Sequence, residues 1–91
     1  MPVQSVSVNI DGARVTPALQ EAIENLKGAD GEVFLDFSGV DRVAPSALKA
    51  MEKLAGMAGE KSIKVVLRGV SVGVYKALKL MNLTGRFSFS G

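Results

Sequence analysis

Apolar and polar positions along the chain follow two rhythms that alternate with each other. Val6, Val8 and Ile10 interleave with Ser5, Ser7 and Asn9, a period of two that predicts a strand over 3–10 with one buried and one wet face. Asp11-Gly12 marks a turn. Leu19, Ala22, Ile23 and Leu26 then recur at i, i+3, i+4 and i+7, the stripe of an amphipathic helix. Thr16 is the expected N-cap of that helix, Pro17 its first residue, and Lys27-Gly28 its close. The run Val33, Phe34, Leu35 and Phe37 reads as a strand covered on both faces.

After a loop at Ser38–Asp41, Val43-Ala44-Pro45 is expected to be extended, because a residue before proline avoids the helical region. Ser46 is the expected N-cap of a second helix, which runs to about Ala58 and stops at Gly59. Its buried face is Ala47, Leu48, Met51, Leu54, Ala55 and Ala58, and Gly56 within it suggests close packing. Ile63, Val65, Val66 and Leu67 make a further buried strand. Ser71 caps a third helix with Val74, Ala77, Leu78 and Met81 inward and Lys76 and Lys79 outward. Arg86 to Phe89 alternates again as a short edge strand. The order β-α-β-α-β-α-β predicts a small, mostly parallel α/β sheet of about four strands, with three helices mainly on one face. Residues 1–91 form a single domain in this reading.

Composition narrows the chemistry. Among 91 residues there is no Cys, His or Trp, so the thiolate nucleophile, the commonest metal ligand and the commonest neutral-pH base are all missing. The expectation is a non-enzymatic module with no metal and no cofactor. Met1-Pro2 leads into a mixed polar segment without a charged n-region or an apolar h-region, so a cytoplasmic protein without membrane insertion is expected. The net charge of +2 conceals a split. Residues up to Pro45 carry three basic and seven acidic side chains, a net of −4, whereas Ser46 onward carries eight basic and two acidic, a net of +6. The plainer reading of the basic half is solvated lysines that keep a small protein soluble; it would otherwise suit an acidic partner protein, or more weakly an anionic membrane or a nucleic acid, against which the few aromatics count.

Two motifs carry little. Ser46-Ala47-Leu48-Lys49 has the spacing of a serine activated by a lysine one turn away, but its companion elements are absent. Asn82-Leu83-Thr84 is a glycosylation sequon without a secretory signal. The carboxylates Asp36 and Asp41 flank a strand end and read as capping or solvated groups. Ser46 is the informative residue. It stands between the end of a buried strand and the start of a helix, where backbone N–H groups favour an anion, so a phosphate there would add charge without unfolding the helix.

The stretch Val33-Phe34-Leu35-Asp36-Phe37-Ser38-Gly39-Val40, followed by Pro45-Ser46-Ala47-Leu48, resembles the STAS domain family of sulfate transporters and anti-sigma-factor antagonists. Ile63 to Leu67 and Val74 to Leu83 look like the next strand and helix of that family. The resemblance implies protein binding, bacterial partner switching and transcription regulation. In the antagonists a serine at this helix start is phosphorylated by a kinase that is also the anti-sigma factor, and that serine falls on Ser46. The implied partner surface is Asp41, Arg42, Ala44, Pro45, Ser46, Ala47, Lys49 and Lys53. Ala44, Pro45 and Ala47 replace the family's Asp, hydroxyl residue and Gly. These departures favour an alternative branch, in which a small STAS subunit binds an ABC-transporter ATPase, for example in phospholipid trafficking.

Overall fold

Strand and helix alternate through the computed structural model, which describes residues 5–28 and 31–90. The elements are β1 (Ser5–Asn9), α1 (Val15–Gly28), β2 (Glu32–Asp36), α2 (Pro45–Lys61), β3 (Lys64–Arg68), α3 (Val72–Leu80) and β4 (Ser88–Ser90), with a 3-10 turn at Thr84–Arg86. All four strands are parallel and lie side by side in chain order, with Val6 opposite Val33, Val33 opposite Val65, and Val66 opposite Ser88. In such an order, right-handed crossovers carry every connecting helix to the same face of the sheet. Packing agrees, because Val8, Val33, Leu35, Val65 and Leu67 from the strands share one core with Leu19 and Leu26 of α1, Met51 and Leu54 of α2, and Val74 and Leu78 of α3.

One covered face leaves the other bare, and this corrects the reading of β2. Its side chains alternate between buried Val33 and Leu35 and half-buried Glu32, Phe34 and Asp36, so the strand is covered on one face only. On the bare face the Arg68 guanidinium lies 5.4 Å from the Phe34 ring centroid, which shields Phe34 with a cation rather than a helix. Val66, on the same face and beside Phe34 in register, is buried.

Helix ends shift for identifiable reasons. The N–H of Ala18 donates to the Arg14 carbonyl at 3.1 Å, so α1 begins before Thr16, and Thr16 lies within its first turn instead of capping it. Asp11 organises the entry, its carboxylate accepting from Ala13 N–H and its carbonyl from Arg14 N–H, both at 2.9 Å. The same shift occurs at α2. Ala44 occupies the N-cap in extended conformation, with φ −77° and ψ 161°, and Pro45 opens the helix. Proline fits there because its fixed φ suits the helix and its missing N–H has no partner to lose. Ser71 does cap α3, its hydroxyl accepting from Val74 N–H at 3.2 Å. Met81, expected inward, lies beyond α3 and is exposed.

The α2 helix passes through both Gly56 and Gly59 and ends at Ser62, which takes the left-handed conformation at φ 55° and donates its N–H to the Ala58 and Gly59 carbonyls. Gly56 is exposed, and a Cβ added at Gly56 or Gly59 would meet nothing within 4 Å. The expected close packing at Gly56 is therefore absent. Each glycine costs helix stability without a packing return, so Gly56→Ala and Gly59→Ala should each stabilise the protein by about 0.5–1 kcal/mol. Urea denaturation checks this, and a lowered midpoint for either variant would contradict it.

Candidate functional site

The loop between β2 and α2 delivers Ser46, and three glycines hold that loop in place. A Cβ on Gly12 would collide with the Gly39 carbonyl oxygen, and one on Gly73 would come within 2.9 Å of the Asp41 carbonyl oxygen. Gly69 combines a positive φ of 65° with a Cβ position 2.9–3.1 Å from Ser38, so only glycine fits without strain. These residues come from the loops after β1 and β3 and from the start of α3. Side chains add to the clasp. Ser71 donates its hydroxyl to the Asp41 carbonyl at 3.1 Å while capping α3. The Asp36 carboxylate accepts from Ser38 N–H at 2.9 Å.

That contact sets the charge state of Asp36. Hydrogen bonds from Ser38, first from its side chain and then from its backbone, hold the carboxyl below its ordinary value of 3.8, and Arg68 adds a smaller pull in the same direction. A carboxyl whose folded pKa is lowered contributes stability that is full above the unfolded value and is lost as pH falls through the folded one. Asp36→Asn keeps an oxygen acceptor for Ser38 N–H but removes the titration. The variant should therefore lose less stability than the parent on acidification from about pH 5 to pH 2. Denaturation midpoints measured across that range decide it, and parallel acid limbs would contradict it.

Of the residues expected at the partner surface, Asp41, Arg42, Ala44, Pro45, Ser46, Lys49 and Lys53 are exposed. Ala47 is not, being 0% accessible. Its methyl packs into the core beneath the helix start, so it supports the site from below and cannot touch a partner. The Ser46 hydroxyl does not cap α2, and the partner it meets is a hydroxyl. It lies 3.3 Å from the Thr16 hydroxyl in the first turn of α1. Thr16 is the site residue that sequence reasoning misplaced. Two hydroxyls thirty positions apart give no local signal of contact, and only the side-by-side packing of α1 and α2 brings them together.

This hydroxyl pair stands at the mouth of a groove of about 650 Å³ between the two helices. Ile23 and Ala50 supply apolar lining, Glu21 and Glu24 come from α1, and Lys49 and Lys53 come from α2. The acidic and basic halves seen in the sequence thus meet here across a cleft. An open groove with mixed charge and few convergent polar groups suits the polar margin of a protein contact better than an enclosed small-molecule site.

A family model described as "Mlab, STAS domain" matches residues 3–88. The chain belongs to the STAS domain family. A solved structure from Thermotoga maritima, a candidate anti-sigma factor antagonist, superposes with a TM-score of 0.63 at 18% identity, covering 98% of this chain and 74% of that one. At that identity the likeness establishes the STAS fold and nothing finer. No curated protein matches the chain. Among the described residues, no helix is long and apolar enough to cross a membrane.

Proposed function

We propose that this STAS domain is a cytoplasmic protein-docking module whose partner seats on the first turns of α1 and α2, with the Ser46 hydroxyl at the centre of the contact. The observation that carries the reading is the placement of Ser46, exposed in the first turn of α2 and joined to Thr16 at the mouth of the charged groove. Backbone N–H groups of that turn would donate to a phosphate without unfolding the helix. The added charge would then act on the docked surface. In this form the chain works as an anti-sigma-factor antagonist, binding a kinase-type anti-sigma factor while Ser46 is unmodified and releasing it when Ser46 is phosphorylated.

In a second reading the same face holds an ABC-transporter ATPase permanently. Ala44 and Pro45 agree with it. Neither offers a side-chain hydrogen bond to an approaching kinase, and Pro45 stiffens the entry to the helix.

One experiment separates them. The purified chain is mixed with ATP and either a kinase-type anti-sigma factor or an ABC-transporter ATPase encoded beside its gene, then followed by size-exclusion chromatography and intact mass. Gain of one phosphate, absent in Ser46→Ala, supports the antagonist. Stable co-elution with the ATPase and no mass change supports the transporter subunit. If the folded chain binds neither, the docking reading fails.

A further inference from the structure

The large apolar side chains left exposed among the described residues are Val72, Tyr75, Leu80, Met81 and Phe89. All of them fall between residues 72 and 89, on or beside α3 and β4. Val72 is 71% accessible and Leu80 86%, values without a folding benefit, since each leaves nearly a whole hydrocarbon side chain in water. On α3 they share the outward face with Lys76 and Lys79, because positions 72, 75, 76 and 79 recur at i, i+3, i+4 and i+7.

Two further observations shape this surface. Tyr75 and Phe89 meet edge to face with centroids 5.4 Å apart, forming one wall of a groove of about 530 Å³ whose lining includes Leu67, Val70 and Val72 and no charged residue. Cations accompany it on the same helix. From Lys61 to Gly91 the chain has six basic residues and no acidic one, and Lys76 and Lys79 are exposed on α3 with Val72 and Tyr75. An apolar slot with one aromatic wall, on a helix face that also carries two exposed lysines, takes apolar anchors framed by carboxylates.

We propose that the α3–β4 surface is a second docking site, which binds an acidic amphipathic helix of a partner protein. It goes beyond the Ser46 reading, because the groove there is lined by α1 and α2 and this one lies at the β4 edge of the sheet. Charge argues against a second copy meeting face to face, which would set cation against cation. The concave aromatic slot favours inserted side chains over a flat lipid surface.

The probe is a synthetic helical peptide with leucines at i, i+3, i+4 and i+7 and glutamates elsewhere, titrated into the full 15N-labelled chain. Amide shifts should concentrate on residues 67–90 and shrink with added salt. Lys76→Glu/Lys79→Glu, two changes at exposed positions whose fold is checked by circular dichroism, should weaken binding by about tenfold or more. Tyr75→Ala should weaken it comparably, while Ser46→Glu should leave it unchanged. Shifts centred on α1 and α2, no shifts at millimolar peptide, or equal binding by the double variant would each overturn the proposal. So would sedimentation of the chain with phosphatidylglycerol vesicles without peptide binding, which assigns the patch to a lipid surface. Concentration-dependent dimerisation with shifts at Tyr75 and Phe89 would overturn it in favour of self-association.

Discussion

Replacing Ser46 by glutamate is expected to weaken partner binding by about a hundredfold, ~3 kcal/mol, with no loss of fold. The fold should persist because Ser46 lies in the first turn of α2, where an added negative charge meets the positive end of the helix dipole. Its hydroxyl bond to Thr16 is exposed, so losing it costs the folded state about 1 kcal/mol at most. Binding is another matter. Lys49 and Lys53 face Glu21 and Glu24 across the groove in equal number, and a new anion at its mouth upsets that balance just where a partner must exclude water. A charge desolvated without a partner is far more costly than the neutral hydroxyl it replaces. Ser46→Ala provides the contrast, since it removes a hydroxyl without adding charge and should keep affinity within about tenfold. Titration calorimetry with the partner identified by co-elution makes both measurements. Equal affinity of the glutamate variant and the parent would remove Ser46 from the contact.

Phe37→Ala is expected to destabilise the protein by about 3–5 kcal/mol, the usual cost of emptying a buried aromatic site. A domain of this length has a total stability of about 5–14 kcal/mol, so the variant should be partly unfolded or close to it at 37 °C. Phe37 is fully buried, one residue beyond β2 and at the root of the loop that leads to Ser46. Its N–H donates to the Arg68 carbonyl at 2.7 Å, and its carbonyl accepts from Val40 N–H at 2.9 Å. The residue therefore ties the end of the sheet to the turn that positions the site, and its buried ring packs beneath both. Partner binding should weaken together with stability, unlike in Ser46→Glu, where the two separate. A chemical denaturation midpoint within experimental scatter of the parent would show that neighbouring side chains close the cavity.

The elements themselves were readable because each shows a local rhythm. Residues 19–26 carry a helical stripe, residues 7–10 alternate, and Ser71 stands where a capping hydroxyl is needed, all of which the structure bears out. Misreadings occurred where local signals were ambiguous. Thr-Pro and Pro-Ser pairs mark a helix start only to within a residue or two, so the pattern puts caps at Thr16 and Ser46 although both lie inside the first turn. Gly59 predicts a stop, yet nothing crowds it and α2 continues to Lys61. The dense apolar run at Val33 to Phe37 suggested cover on two faces, but periodicity cannot show which side of a strand a helix will occupy.

What the sequence determined alone was the alternating α/β order, most of the core positions, the charge split near Ser46 and a serine at a helix start. Those properties depend on neighbours within a few positions, through backbone geometry and hydrophobic spacing. Only the tertiary structure decided that one face of the sheet stays bare and that Ser46 meets Thr16 across thirty residues. It also decided that Ala47 points into the core and that Gly12, Gly69 and Gly73 close around the site loop. Each of these is a relation between segments distant in the chain. The crossovers between parallel strands set them, and no local pattern of residues records which segments those crossovers bring together.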